Sequence, residues 1–205
     1  METHTETYRS HTITIHTDED AQPPNEWQDD NLFLVHYHRD FQVESDVITE
    51  SECAQLYCEQ MPISQQDDYH IFWLTAHIHG GVYLYLGNIA EAPFDAGGWD
   101  TSHCGAVLVS KKEWADETKA HDAAQSIVNE WNDYLSGNVY GYTIDGDICD
   151  DSCWGFYGDY EKYCLLEARS SIDYAIQYAQ KEHCKHLKRW ILAKVGLLHR
   201  EPMPA

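Results

Sequence analysis

Hydrophobic and polar residues alternate along several short stretches of the chain, and this alternation predicts β-strands. The clearest case is residues 71–78 followed by Gly80-Gly81 and residues 82–86, where aromatic and branched side chains flank two glycines. This arrangement predicts a β-hairpin. Further strands are predicted at residues 32–38, 106–109 and 139–144, with 12–16 as a short strand or arm and 153–157 as a short strand or tight loop.

Three helices are also predicted. Residues 111–135 and 160–195 repeat their apolar residues with helical spacing, and Thr49 with Glu52 resembles a capping box that begins a short helix at 49–61. Ser110 is placed to cap the helix at 111–135, and Gly137 is placed to end it. The stretch at 160–195 is longer than most helices in globular proteins, so a break at 170–171 or 182–183 is an alternative to one continuous helix.

These elements predict an α+β fold, with a mostly antiparallel sheet of about five strands flanked by two or three helices, including a long C-terminal helix. The length of 205 residues fits one main domain. The expected organisation is a flexible or arm-like segment at 1–30, a single α+β domain at 31–180, and a basic helix and tail at 181–205.

Charge is distributed very unevenly along the chain, whose formal net charge is −22. Residues 1–160 contain 30 Asp and Glu against 5 Lys and Arg, whereas residues 181–200 contain six bases and one acid. An acidic body of this kind repels nucleic acid and membrane surfaces and attracts basic partners. We therefore expect no direct binding to nucleic acid or to a membrane. The basic C-terminal helix is expected to be a counter-charge within the chain or between subunits, and the alternative is a solvated face with no partner.

The cellular compartment is inferred from the missing export signals and from the cysteines. No stretch of about 18 apolar residues occurs, and residues 1–20 lack the apolar segment of a secretory signal. The seven cysteines are therefore expected to be free thiols, in the cytoplasm of a host cell. No cofactor is predicted.

Histidines recur at alternate positions of two predicted strands, as His36 with His38 and His77 with His79. Because alternate side chains of a strand lie on one face, each pair is able to reach one metal ion. His77 and His79 would make a zinc site with an open position if the following loop supplied a third ligand. The candidates for that ligand are Asp100, His103 and Cys104. The chain has 13 histidines, so such pairs also arise by chance, and solvated or hydrogen-bonded histidines are the favoured interpretation.

Residues 151–158 are the most distinctive local segment, because two glycines bracket aromatic residues there. Trp154 and Phe156 are interpreted either as an aromatic recognition platform beside carboxylates or as a core anchor that packs the sheet against the long helix. Core packing is favoured, since burial of a large aromatic side chain contributes about 2–3 kcal/mol.

Acidic side chains near the predicted sheet loops and near the N-terminus are the expected partner-binding residues. They are Asp18, Glu19, Asp20, Asp29, Asp30, Asp145, Asp147, Asp150, Asp151 and Asp159. Their role is electrostatic, and we expect the binding energy to be spread over many weak contacts.

Four motifs occur between residues 70 and 170: His79-Gly80, Trp99-Asp100, the run from Tyr134 to Tyr142 (Tyr-Leu-Ser-Gly-Asn-Val-Tyr-Gly-Tyr), and the run from Asp151 to Gly158 (Asp-Ser-Cys-Trp-Gly-Phe-Tyr-Gly). This combination resembles an uncharacterised protein family that is common in bacteriophage and mobile-element genomes. The resemblance implies a phage or plasmid origin and a small accessory protein that meets host enzymes. The family is uncharacterised, so the resemblance does not assign an enzymatic activity to this chain.

The charge and the resemblance together predict a non-catalytic accessory protein that binds a host protein. The expected partner is a defence protein, of the restriction or CRISPR type, whose basic groove holds nucleic acid, so that the acidic protein acts as a nucleic-acid mimic and inhibitor. One alternative is a metal-dependent or small-ligand enzyme that uses the histidines and aspartate at residues 77–104. Another is an oligomeric virion or assembly component. In such a homo-oligomer, the basic helix of one copy would dock on the acidic body of the next.

Overall fold

A computed structural model of the protein describes residues 2–24, 31–36, 67–91 and 99–195. Eight β-strands and two α-helices lie in these ranges. The strands are β1 (Glu2–Tyr8), β2 (His11–Thr17), β3 (Leu32–His36), β4 (Tyr69–Ile78), β5 (Val82–Leu86), β6 (Thr101–Ser110), β7 (Val139–Asp145) and β8 (Asp151–Tyr157). The helices are α1 (Glu117–Leu135) and α2 (Cys164–Lys194), and a 3₁₀ turn spans Ile89–Glu91.

The elements form two compact units, each with its own four-stranded antiparallel sheet. The first unit contains the described residues up to Thr17 and those from Tyr140 onward. The second unit contains the described residues from Asp18 to Val139. The chain therefore begins the first sheet, builds the second unit, and then returns to complete the first sheet.

The first unit packs one face of its sheet against α2, with the strand order β1-β2-β7-β8. Ile13 and Ile15 of β2 lie opposite Ile144 and Tyr142 of β7, and all four side chains are buried. Helix α2 contributes Leu165, Ala168 and Ile172 to the same core. Their spacing of three and four residues places them on one side of the helix, which faces the sheet.

The second unit packs α1 against a sheet of strand order β3-β6-β4-β5. The side chain of Trp131 on α1 is 1% exposed and lies in this core. The next residue, Asn132, bonds to the backbone of the edge strand β5. Its amide nitrogen donates to the carbonyl of Leu84 over 2.7 Å, and its amide oxygen accepts from the N–H of Leu84 over 2.7 Å. Asn132 thus satisfies edge groups that would otherwise be open to pairing with another strand.

Helix α1 begins six residues later than the sequence predicted. The side chain of Asp116 accepts a hydrogen bond from the N–H of Lys119 over 3.0 Å, so Asp116 is the N-cap and the prediction of Ser110 is wrong. Ser110 is instead the last residue of β6, and its N–H donates to the carbonyl of Asn31. Gly137, with φ of 71°, follows the end of the helix as predicted.

Helix α2 is continuous over 31 residues, so neither of the predicted breaks occurs. Its first half packs in the core of the first unit. From Gln177 to Val195 every residue is exposed except Leu192, which is half-buried. The second half of the helix therefore continues beyond the sheet that covers the first half.

The α+β class, the hairpin of β4 and β5, and the long C-terminal helix are confirmed, whereas the single sheet of about five strands is wrong. The eight strands divide into two sheets because β2 pairs with β7 across most of the chain. Residue alternation predicts that a segment is a strand but does not predict its distant neighbour.

The two units also differ from the predicted boundaries at 1–30, 31–180 and 181–205. The N-terminal residues form β1 and β2 and lie within a sheet, where an arm was predicted. The predicted helix at 49–61, together with Asp29, Asp30 and His38, lies outside the described residues. Neither α1 nor α2 has a run of 18 residues that is apolar enough to cross a bilayer.

Candidate acidic binding site

The turn that joins β7 to β8 displays four carboxylates. Asp145 is the last residue of β7 and Asp151 is the first residue of β8, and Asp147 and Asp150 lie between them. All four side chains are exposed, as is Ile148 among them, at 51%. Residues 145–154, which include this turn and the first part of β8, are called the acidic tip below.

Two buried side chains hold this turn in place. The imidazole of His11 is 3% exposed, and its Nδ1 lies 2.9 Å from the carbonyl oxygen of Arg9. Because a carbonyl only accepts, Nδ1 carries the hydrogen. Gly146 lies so close to this ring that a Cβ atom at position 146 would overlap it. Cys149 is 8% exposed and belongs to the core, so the carboxylates are carried by a turn that is anchored on both sides.

The carboxylates of the acidic tip affect the ionisation of neighbouring groups. Burial raises the pKa of the Cys149 thiol, and the charges of Asp151 and Asp150 raise it further. Burial also raises the pKa of Tyr142; a hydrogen bond with Ser171 partly offsets this, and the charge of Asp151 adds to the rise. Both effects have the sign of a negative potential, which disfavours a further negative charge.

Two bases of the first unit, Arg9 and Arg169, are paired with other acids. Arg9 lies 3.1 Å from a carboxylate oxygen of Asp173. Arg169 donates two hydrogen bonds to Glu6, over 2.7 and 2.6 Å, and this contact lowers the pKa of Glu6. Within the described ranges, no Lys or Arg forms an ion pair with the four carboxylates of the acidic tip. Their negative charge is therefore displayed to solvent.

An exposed indole lies beside the carboxylates. Trp154 is 48% exposed, and its ring covers Gly141 of β7 so closely that a Cβ atom there would overlap it. The ring centroid of His16 on β2 is 5.8 Å from that of Trp154. Because His16 lies opposite Gly141 across the two strands, these residues share the sheet face that points away from α2.

Phe156 lies on the other face of the same sheet, although it is only two residues from Trp154. Its ring centroid is 5.8 Å from that of Tyr142, in the core formed with α2. Gly155 has φ of 84°, a left-handed value that interrupts the regular alternation of the strand. The predicted core anchor is therefore confirmed for Phe156 and wrong for Trp154.

The other predicted binding acids are not part of the acidic tip. Asp159 accepts hydrogen bonds from the N–H groups of Glu161 and Lys162, over 3.0 and 3.4 Å, and so caps the turn before α2. Asp18, Glu19 and Asp20 belong to the second unit. Asp29 and Asp30 lie outside the described residues. The structure thus brings together Asp145, Asp147, Asp150 and Asp151 of the predicted set.

The histidines proposed as metal ligands are placed at the end of β4. Nδ1 of His79 lies 2.9 Å from Oδ2 of Asp100, and the ring centroids of His79 and His77 are 6.4 Å apart. Nδ1 of His77 lies 3.0 Å from the hydroxyl of Thr101. In the part of the chain that the structure describes, no three His, Cys, Asp or Glu side chains are grouped as metal ligands.

The remaining members of that candidate site point elsewhere. The ring of His103 packs edge-on against Trp73, with centroids 5.0 Å apart. Cys104 is fully buried, and its thiol donates to the carbonyl of Leu74 over 3.6 Å. Cys104 therefore belongs to the core of the second unit. His36, 6% exposed, is also buried.

Sequence reasoning identified the carboxylates, and it offered an aromatic platform beside them only as the less favoured interpretation of Trp154. In the sequence, Gly141 is the residue that indicates an exposed ring here. It alternates with large side chains in β7, so it leaves room for a ring on the neighbouring strand. Gly141 is interpretable in this way only when β8 is known to be the neighbour of β7.

Comparison of the chain with protein-family models, with curated proteins and with solved structures found no match. Function is therefore inferred from the residues themselves. The two properties that bear on it most directly are the carboxylates of the acidic tip, which lack basic partners among the described residues, and the exposed indole of Trp154.

Proposed function

We propose that the protein is a non-catalytic binding protein whose acidic tip occupies the basic nucleic-acid-binding groove of a host defence protein. The observation that carries this proposal is the group of four exposed carboxylates on an anchored turn, with no ion-pairing Lys or Arg among the described residues. Duplex DNA carries one negative charge per about 1.7 Å of its axis, so a protein that binds it presents a basic groove. A fixed cluster of carboxylates attracts the same groove.

Trp154 supplies the short-range part of the proposed interaction. Tryptophan is enriched among the few residues that contribute most of the binding energy of protein interfaces, and such residues are surrounded by polar groups. The half-exposed indole on β8 lies a few residues from Asp151, and Ile148 adds a second exposed apolar side chain. The carboxylates would speed association, and burial of these side chains would slow dissociation.

The acidic tip also coincides with a motif that supports a host context. The run from Asp151 to Gly158, which resembles the bacteriophage and mobile-element family, contains Trp154 and one of the four carboxylates. A phage accessory protein benefits from blocking a nuclease or surveillance complex, whose groove is basic for the reason given above. The net charge of −22 argues against nucleic acid itself as the partner.

Capture from a bacterial lysate tests the proposal with the full chain immobilised. In the tip variant, Asp145, Asp147, Asp150 and Asp151 are replaced by Asn. In the matched control, the exposed acids Asp67, Asp68, Glu113 and Asp122 of the second unit are replaced by Asn or Gln, so that the net charge changes equally. We expect the wild type and the control to retain a host protein that duplex DNA displaces, and the tip variant to lose it.

Two results would overturn the proposal. One is a captured protein that duplex DNA does not displace, because the groove would then not be the binding surface. The other is equal capture by the tip variant and the wild type, because the carboxylates of the acidic tip would then not contribute. Circular dichroism of each variant establishes that the fold is unchanged.

A further inference from the structure

The exposed half of α2 carries an apolar stripe that continues the buried stripe of its first half. The buried side chains Leu165, Ala168 and Ile172 follow one another at spacings of three and four residues. The same spacing continues through a further set along the helix: Ile176, Ala179, His183, Leu187 and Trp190. The later positions therefore lie on the same side of the helix as the core-facing ones.

This stripe is unusually apolar for a surface. Leu187 is 46% exposed and Trp190 is 55% exposed, and Ile191 beside them is 46% exposed. Successive residues of an α-helix are about 100° apart around its axis. Lys181, Lys185 and Lys188 therefore lie on the side of the helix opposite the stripe. Contiguous exposed apolar surface bordered by charged residues marks an interaction site.

We propose that the stripe pairs with the same stripe of a second copy of the chain, with the two helices antiparallel. The steps between its five positions are three, four, four and three residues, and this order reads the same from both ends. An antiparallel pair with His183 at the two-fold axis therefore superimposes the stripe on itself. Leu187 then faces Ala179, and Trp190 faces Ile176, so that each larger side chain meets a smaller one.

Charge favours the antiparallel direction. In a parallel pair, the basic ends of both helices, which include Lys188, Arg189 and Lys194, would lie side by side and repel. In an antiparallel pair, each basic end points toward the first half of the other helix. Glu167 is exposed in that half, and Glu161 is exposed in the turn just before the helix begins.

A second copy also fits better than a membrane or a nucleic acid. The helix belongs to a chain whose net charge is −22, so long-range repulsion acts against an anionic surface and against a second copy alike, and the contacts at the helix itself decide between them. A second copy provides acidic groups for the bases and an identical apolar stripe for the apolar residues.

The size of the surface sets the expected strength of pairing. Residues 177–195 extend for about 28 Å, and a helix with its side chains is about 10 Å wide. This strip is smaller than the roughly 800 Å² per partner of a standard interface. We therefore expect a weak dimer whose population depends on protein concentration.

Sedimentation equilibrium of the full-length protein over a range of concentrations tests the proposal. The stripe variant carries Leu187→Gln and Trp190→Gln. The matched control carries Tyr174→Gln and Tyr178→Gln, two exposed aromatic residues whose rings stack on each other away from the stripe. We expect wild type and control to dimerise with similar dissociation constants, and the stripe variant to raise the dissociation constant at least about tenfold. A monomer at all concentrations, or equal dimerisation of all three proteins, would overturn the proposal.

Cross-linking tests the direction of pairing. In a background where Cys53, Cys58, Cys153 and Cys184 are Ser, one protein carries Ala179→Cys and another carries Leu187→Cys. A short bis-maleimide should link a mixture of the two more efficiently than either protein alone. Preferred linkage within each single variant would contradict the antiparallel arrangement. Co-sedimentation with phosphatidylglycerol vesicles that the stripe variant abolishes, without dimerisation, would show a membrane as the partner instead.

Discussion

At the scale of single residues, the acidic tip depends on contacts that only glycine permits. Gly146 lies against the buried ring of His11, and Gly141 lies under the indole of Trp154. The first contact holds the turn that carries the carboxylates, and the second holds the exposed aromatic ring beside them. Close packing at a glycine makes the position of a neighbouring side chain sensitive to a single added methyl group.

Gly146→Ala is expected to destabilise the protein by about 1–3 kcal/mol, because the added Cβ overlaps a buried ring that has little room to move. The measurement is the free energy of unfolding in urea. Gly81→Ala is the matched control, since a Cβ there meets no atom within 4 Å and the backbone is not left-handed. Equal stability of the two variants would show that His11 does not hold the turn.

The residue scale is also where prediction from sequence was weakest. Two aspartates of the predicted binding set have different surroundings. Asp159 caps a turn through its hydrogen bonds, while the carboxylate of Asp147 forms no hydrogen bond with the described residues. Trp154 and Phe156 were given one role because burial of large aromatic side chains is favourable, but the left-handed Gly155 places them on opposite faces of the sheet. Such facts depend on backbone angles that residue type alone does not determine.

At the scale of secondary-structure elements, sequence patterns predicted most of the strands and helices but not how they are joined or capped. The spacing of apolar residues identified α1 and α2, because a helix that covers a sheet needs an apolar side. The hydrogen bonds of Asn132 to the edge strand β5 were not predictable, because an isolated Asn in a helix has many possible partners.

Asn132→Ala is expected to lower the free energy of unfolding by about 2–4 kcal/mol. The backbone N–H and carbonyl of Leu84 both lose their partner, and an unsatisfied buried group costs about 1–3 kcal/mol. Urea denaturation provides the measurement. Asn129→Ala, an exposed change on the same helix, should alter stability by less than about 0.5 kcal/mol. Equal effects of the two substitutions would mean that α1 does not stabilise the edge of β5.

The first residue of α2 predicts a dependence of stability on pH. Burial, with a smaller contribution from Cys153, raises the pKa of the Cys164 thiol to about 12. Near pH 8 the thiol is mostly protonated in both the folded and unfolded states and contributes little. Above the unfolded pKa of about 8.5, only the unfolded state loses the proton, so the free energy of unfolding falls as pH rises.

Between pH 8 and pH 10, we expect wild type to lose about 1–2 kcal/mol more stability than Cys164→Ala. The exposed Cys153→Ala serves as the control and should keep the pH dependence of wild type. Urea denaturation at several pH values measures the difference. Parallel curves for wild type and Cys164→Ala would show that the buried thiol ionises as readily as a free one.

At the scale of the whole molecule, composition predicted the acidic character, and the order of strands and helices predicted the α+β class. The structure places four of the acidic residues together in the acidic tip. Ten acidic residues were expected to bind the partner; the turn between β7 and β8 brings four of them together, whereas Asp159 caps another turn. The sequence could not show two sheets, since the strands of the first unit come from both ends of the chain. The basic half of α2 was expected to neutralise the acidic body, yet its Lys185 pairs with Glu182 on the same helix.

The most direct measurement is the affinity for the captured host protein between about 0.05 and 0.5 M salt, made with wild type, the tip variant and the equal-charge control. We expect the affinity of wild type and control to fall steeply as salt rises. The tip variant should bind more weakly at low salt and depend less on salt. Wild-type affinity that does not change with salt, or equal salt dependence of the tip variant and the control, would contradict the claim that the acidic tip engages a basic groove.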